Sequence, residues 1–435
     1  MRRLFLDTAL TAQSVREAIP RAESVDSEVT KIVSGIISEV RANGAQALLS
    51  QAAKFDGVTP AALRVSDSEL EKSLEWLPAE LKASIEEAIL RVRRVSEDGV
   101  AKDFSVELGE GATVLQRYVP VDSVGLYVPG GKAVYPSSVI MNAVAAQVAK
   151  VPRIVICSPA QKEFGGLPHP SILATAKLLG VTEVYAIGGA GAVAALAYGV
   201  SEIGLEPVTM VTGPGNIFVA TAKRLLRGVI GIDSEAGPTE ILILADESAN
   251  PAFIAADLIS QAEHDENAAA ILVTDSSLLI DAVERELAIQ VPKTKNRMRV
   301  ETALSGQQSA LVLVPDFDAA IKLANLYATE HLEIHCLDSN SVLGRITNAG
   351  AIFLGDYSPV SLGDYLAGSN HVLPTSEQAK FGPGLGVHTF LRPQQVISYS
   401  KNGLADVVAK LDVFARAEGL DAHGDAGKIR FSQEK

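Results

Sequence analysis

The chain of 435 residues is long enough for roughly two to four domains at about 100–200 residues each. Hydrophobic residues make up 47% and charged residues 21%, which excludes global disorder, collagen-like repeats and coiled coil and fits a globular protein with a large core. Its 38 basic and 52 acidic residues leave a net charge of -14, so neither nucleic acid nor an anionic membrane is an expected partner.

The first segment, MRRLFLDTALTAQSVREA, starts basic but is soon interrupted by Asp7 and Arg16. It has neither a long apolar stretch nor a small-residue cleavage site, so it does not read as a signal peptide. Over the first hundred residues the pattern is helical. Val29, Ile32, Val33, Ile36, Ile37 and Val40 recur at helical spacing, Asn43-Gly44 supplies a stop, and Leu81, Ile85, Ile89 and Val92 mark a second amphipathic stretch. After about residue 120 short β-rich runs alternate with alanine-rich helical stretches. Strands are predicted at 124–128, 153–158, 183–187, 209–212, 241–246, 270–274, 310–314 and 351–354. Such near-continuous apolar runs, separated by helical patterns, belong to strands buried on both faces of largely parallel sheets. A helix is expected over 251–264, a linker over 374–388 and one more helix over 401–417, followed by a polar tail. No run of about 18 apolar residues occurs, so no membrane span is expected. The two cysteines, Cys157 and Cys336, lie far apart in apolar contexts. They fit a reducing, cytoplasmic setting and exclude a disulfide framework.

Glycine turns follow several predicted strands: Pro129-Gly130-Gly131, Gly188-Gly189-Ala190-Gly191 and Gly213-Pro214-Gly215-Asn216. In open α/β sheets ligands gather at the carboxyl ends of strands, where such turns lead into helix N-termini. Residues 189–194 match the loose pattern G-x-G-x-x-A, but no acidic residue ends the next strand. Close helix–strand packing accounts for those glycines equally well. Asn216 is a natural N-cap.

Six of the seven histidines lie beyond residue 260, and two stand beside carboxylates, in Glu263-His264-Asp265 and Glu330-His331. Such neighbours set an imidazole's tautomer or tune a base. Gln261 and His264 are three apart and share a helix face, which offers two candidate metal ligands. His331-Leu332-Glu333-Ile334-His335 lacks the H-E-x-x-H order of a zinc protease. Its alternation reads as a strand with His331, Glu333 and His335 on one face and Glu330 on the other. The stretches 358–371 and 418–424 are polar and glycine-bearing, and by composition are a surface loop and a chain end. Composition and spacing stop at an α/β enzyme with candidate nucleotide and metal sites.

Taken together and in order, seven segments resemble the histidinol dehydrogenase family: VGLYVPGGKAVYPSS at 124–138, TGPGNIFVATAKR at 212–224, AGPTEILILAD at 236–246, DLISQAEHD at 257–265, YATEHLEI at 327–334, SLGDYLAGSNHVLPT at 361–375 and AEGLDAHG at 417–424. The resemblance covers nearly the whole chain and is least distinctive in the first hundred residues. It implies an α/β fold of two incomplete Rossmann-like domains with mostly parallel sheets, plus small N- and C-terminal helical elements. The implied limits are a helical element at 1–25, a discontinuous first domain at 26–125 and 240–378, an NAD-binding second domain at 126–239, and a helical tail at 379–435. The implied activity is oxidation of L-histidinol to L-histidine through the aldehyde with two NAD+, on a zinc-dependent homodimer whose tails cross between subunits.

Residue by residue, the same resemblance makes Glu330 and His331 the acid/base pair and Gln261, His264, Asp364 and His423 the zinc ligands. Thr239, Gln261, His264, His331, Asp364, Glu418 and His423 match substrate contacts, and His371 a further polar position. Tyr127, Gly191 and Asn216 match NAD contacts, although the family usually carries glutamine where this chain has Gly191. One neutral hydrogen bond contributes about 0.5–1.5 kcal/mol, so Gly191→Gln is expected to lower the NAD+ Michaelis constant, measured by initial rates.

Overall fold

The computed structural model describes residues 1–21, 27–130 and 134–432. Gly131 of the first glycine turn and the expected boundary at 25/26 lie outside them. Fourteen strands form three sheets. In chain order they are β1 (Arg2–Phe5), β2 (Phe104–Gly109), β3 (Ala112–Pro120), β4 (Ser123–Tyr127), β5 (Arg153–Ser158), β6 (Glu183–Ala186) and β7 (Met210–Thr212). There follow β8 (Gly231–Ile232), β9 (Glu240–Ala245), β10 (Ala269–Thr274), β11 (Ala310–Leu313), β12 (His331–His335), β13 (Ala351–Leu354) and β14 (Leu391–Tyr399).

Two sheets are parallel throughout, one of five strands in the order β6-β5-β4-β7-β8 and one of six in the order β1-β11-β10-β9-β12-β13. Counted from β4 in one and β9 in the other, each runs 3-2-1-4-5, the Rossmann-type arrangement with a strand-order reversal beside its first strand. Every residue of β9 and β10 is buried. Alternation divides them between two cores: Ile241 and Ile243 pack with Ile254 and Leu258 on one face, Leu242 and Leu244 with Ile321 and Leu323 on the other. This burial on both faces is why the apolar runs read directly as strands.

The remaining sheet, β14-β3-β2, is antiparallel and was not among the expected strands. All of β2 is exposed, as is β14 beyond Leu391, so neither leaves an apolar run. The tail at 379–435 is therefore not purely helical. It contributes β14 before the helices Lys401–Ala417 and Asp421–Lys428. The amino-terminal element likewise opens with a strand, β1, ahead of the helix Ala12–Ala18 capped by Thr11. Asn43-Gly44 does not end its helix. Gly44, at φ 46°, puts a kink inside Ser27–Gln51.

Apolar packing also departs from the expected grouping of 26–125 with 240–378. Val33, Ile37, Val40 and Leu48 pack with Val193, Val211 and Val219, and Leu70, Ile85 and Val92 with Val139 and Val144, all around the five-stranded sheet. The segment 374–388 is not a loose linker: Leu385 and Val387 are buried, and Glu377 pairs with Arg16, Arg21 and Lys380. Among the described residues no helix is long and apolar enough to cross a membrane.

The turn after β7 is fixed by a buried ion pair. Asp233 Oδ2 accepts from the Gly213 N–H at 2.8 Å, Lys223 Nζ donates to the Gly213 carbonyl at 3.1 Å, and Lys223 and Asp233 pair with each other. Removing one member leaves a buried charge without its partner, which costs about 3–5 kcal/mol. Lys223→Met is therefore expected to lower the unfolding free energy by about that amount, read from the urea midpoint.

Candidate active site

Glu330 and His331 meet at the amino edge of the six-stranded sheet. Parallel pairing of β12 with β9 sets His331 opposite Ile241, beside the Glu240 peptide. Glu330 Oε2 accepts from the Thr239 hydroxyl at 2.5 Å and from the Glu240 N–H at 2.9 Å. His331 Nδ1 lies 3.1 Å from the Glu240 carbonyl. Since a carbonyl only accepts, Nδ1 carries the proton and Nε2 is left with a free lone pair. Glu330 Oε2 is 3.5 Å from His331 Nδ1, so the expectation that the two side chains point to opposite faces is overturned. Glu330 precedes the strand, and strict alternation does not yet bind it. Burial pushes the Glu330 carboxyl up to about 7, against the opposing pull of His331, Thr239 and the Glu240 N–H. Glu240 is itself fixed by Arg21, whose Nε donates to Oε1 at 2.7 Å while its guanidinium lies 3.6 Å over the Tyr327 ring.

The helix Pro251–Ala262 runs back along the sheet from its Asn250 cap and delivers Gln261 and His264 to the same edge. Gln261 Nε2 donates to Thr239 Oγ1, whereas its Oε1 is buried with no hydrogen-bond partner. His264 Nε2 stands 3.8 Å from Asp364 Oδ2, too far for a direct hydrogen bond. His371 Nδ1 donates to the Asp364 carbonyl at 3.1 Å, and its Nε2 is 3.2 Å from Ser138 Oγ. Burial holds both His264 and His371 below the usual imidazole range, so both are neutral at pH 7, the form in which imidazole binds a metal. An orphaned amide oxygen three residues before a neutral imidazole, itself 3.8 Å from a carboxylate, is a donor set whose chemistry fits zinc. The fourth expected ligand is not brought to them within one chain. His423 and Glu418 are exposed on the tail, where the helix Asp421–Lys428 packs against Lys401–Ala417. Among the described residues neither bonds to Gln261, His264 or Asp364.

A second polar cluster lies deeper on the same face of β12. Ligand-type atoms of Asp257, Glu333 and His335, all buried, lie within 4.8 Å of one another. The strand alternation anticipated Glu333 and His335. Asp257 escaped notice, though its position four residues before Gln261 on one helix carried the signal.

The expected NAD contacts gather elsewhere, at the carboxyl edge of the five-stranded sheet. Tyr127 is buried at the end of β4, and its hydroxyl accepts from the Gly189 N–H at 3.1 Å. A Cβ at Gly213, where φ is 114°, would stand 2.1 Å from the Tyr127 carbonyl oxygen, so only glycine fits that approach. Asn216 caps its helix as expected, accepting from the Phe218 and Val219 N–H groups. Gly189 starts the helix Gly189–Tyr198, and a Cβ there would face open space. Gly191 is different. A Cβ there would lie 2.2 Å from Gln51 Oε1, and Gln51 Nε2 is buried with no partner. A side chain from another helix fills the space that a glutamine at 191 would enter. Ser138, near the start of the helix Pro136–Val148 that follows β4, connects this edge to the metal-ligand set through His371.

The family model for histidinol dehydrogenase matches residues 19–431. A histidinol dehydrogenase of Leifsonia xyli subsp. xyli is 53% identical over 423 residues, covering 97% of both chains. One of Thermobifida fusca is 55% identical over 420 residues, covering 97% of this chain and 95% of its own. The crystal structure of a histidinol dehydrogenase from Elizabethkingia anophelis superposes with a TM-score of 0.93 at 29% identity, covering 99% of this chain and 98% of its own.

The geometry around Gly191 revises the sequence-based expectation for that position. Gly191→Gln alone must displace Gln51 and is expected to leave the NAD+ Michaelis constant unchanged or raised. The fall appears only in the double variant with Gln51→Ala, measured by initial rates in both backgrounds.

Proposed function

The chain belongs to the histidinol dehydrogenase family, and from that premise we propose roles for its own residues in the four-electron oxidation of L-histidinol. The enzyme is an NAD- and zinc-dependent oxidoreductase that takes the alcohol through the aldehyde to L-histidine. The observation carrying the assignment is the shared seat of Glu330 and His331 on the Glu240 peptide, beside Gln261, His264 and Asp364. Those three side chains would hold zinc, whose contribution there would be to orient a nitrogenous substrate. Tyr127 and Asn216 would hold NAD+, the acceptor for the hydride.

His331 Nε2, free because Nδ1 is committed to the Glu240 carbonyl, takes the alcohol proton as hydride leaves, giving the aldehyde. Glu330 then removes a proton from water as its oxygen attacks the aldehyde carbon, while His331 returns its proton to the former carbonyl oxygen, giving a gem-diol and a neutral imidazole. Once a second NAD+ has replaced NADH, His331 takes a diol proton during the second hydride transfer, giving the carboxylic acid, which ionises to the carboxylate. Thr239 serves both sides of the site, donating to Glu330 and accepting from Gln261. Glu330 must be ionised to act as base. With its carboxyl at about 7, the aldehyde half-reaction is expected to rise with pH through that value and level off above it. Glu330→Gln is expected to depress aldehyde oxidation far more than alcohol oxidation, followed at 340 nm with each substrate. Equal losses in the two half-reactions refute the division of labour.

The assembly we propose is a homodimer in which His423 and Glu418 complete the neighbour's site. Support comes from their exposure on the tail and from large apolar side chains of the same tail left uncovered, Ile397, Val413 and Phe414 being 70%, 69% and 72% exposed. The proposed NAD-binding unit is 126–239, against whose sheet the helices of the preceding segment pack. Mixing inactive His423→Ala with inactive His264→Ala is expected to restore about a quarter of wild-type activity, since half of the dimers are mixed and each holds one intact site. No recovery after mixing, or a fully active monomer by light scattering, removes the tail from the site.

A further inference from the structure

We infer that Asp257, Glu333 and His335 are positioning residues that lock together the three elements carrying the zinc ligands and the proton-transfer pair, so that the metal enters a site already assembled. This rests on the proposed reading of Gln261, His264 and Asp364 as ligands.

Each clamp residue sits one structural repeat from a functional one. Asp257 is four residues ahead of Gln261 on the same face of the helix Pro251–Ala262. Glu333 is two residues beyond His331 on the same face of β12. Glu333 Oε1 accepts from the Val360 N–H at 2.7 Å, at the first residue of the helix Val360–Tyr365 that carries Asp364. That helix has no side-chain cap of its own, so the strand supplies the acceptor that its first turn lacks. Glu333 Oε2 meets His335 Nε2 at 3.2 Å, and His335 Nδ1 stands 3.5 Å from Asp356 on the loop entering the same helix. One carboxylate thus ties the strand to the start of that helix.

The charges are arranged to persist without a metal in the cluster. Burial, then the charge of Glu333, lifts the Asp257 carboxyl to about 7, where it retains a proton to share with Glu333. Burial alone would lower His335, but its hydrogen bond to Glu333 and that charge hold it above the usual imidazole range. The three groups face one another inside the fold, and losing one member leaves the others buried without that partner. Bonds that orient metal ligands from outside the coordination sphere commonly carry 10- to 100-fold in metal affinity.

The test uses the full-length protein stripped of metal, with zinc titrated against a chromophoric chelator and metal counted per chain. Glu333→Ala and the isosteric Asp257→Asn are expected to weaken zinc binding about 10- to 100-fold while stoichiometry stays at the wild-type value. At saturating zinc kcat returns toward wild type, and cobalt(II) bound in place of zinc shows shifted d–d bands. Glu333→Gln, which keeps an oxygen for the Val360 N–H, recovers most of the affinity. Should Glu333→Ala fail to fold, Asp257→Asn and Glu333→Gln still give the comparison. His264→Ala separates the two layers of the argument. If it leaves zinc affinity intact, the ligand assignment itself fails. If it abolishes binding while the clamp variants stay within about twofold of wild type, the clamp alone is overturned. Loss of one metal equivalent per chain in Glu333→Ala, from a wild type holding two, also overturns it, because the cluster is then a metal site in its own right.

Discussion

The arrangement depends on one peptide. The N–H and carbonyl of Glu240 hold the Glu330 carboxyl and the His331 imidazole, and they do so because β9 and β12 are adjacent parallel strands in one register. A buried carboxyl and a buried imidazole are each expensive unless bonded. The strand-order reversal beside β9 brings a main-chain donor and a main-chain acceptor to meet both. The side chain of the same residue is pinned by Arg21 against Tyr327, so a contact made by the first twenty or so residues stabilises the geometry of the proton-transfer pair.

Ligand sites in parallel sheets usually sit at the carboxyl edge, and the candidate NAD contacts obey that rule on the five-stranded sheet. The acid/base pair does not, because it lies at the amino edge of the other sheet. The two are joined where Ser138, at the start of the helix after β4, meets His371, which also holds the Asp364 carbonyl. Ser138 and His371 thus join the carboxyl edge of one sheet to the amino edge of the other.

The amino-acid sequence disclosed the parts of this fold that are buried on both sides. VGLYV, RIVICS, ILILAD and AILVT read as strands because nearly all their residues are buried. β2 and β14 did not, since almost all their residues are exposed and an exposed antiparallel ribbon leaves no apolar run. β1 is four residues long, shorter than any periodicity can register. Gln261 and His264 were legible from helical spacing. That Glu330 would turn toward His331 was not, because the residue before a strand is free of its alternation. Gln51 beside Gly191 was out of reach entirely, since the contact joins two helices far apart in the chain. His423 and Glu418 stay exposed on the tail, away from Gln261, His264 and Asp364.

β1 carries a last consequence. Residues 2–5 form the edge of the six-stranded sheet by pairing with residues 310–313 of β11, so this strand gains its partner only after the whole intervening chain has been translated. Pairings of such large sequence separation come late and slow the search for the native state. Until then Arg2 and Arg3 keep this short segment charged, which discourages a nascent edge strand from annealing to another chain on the same polysome.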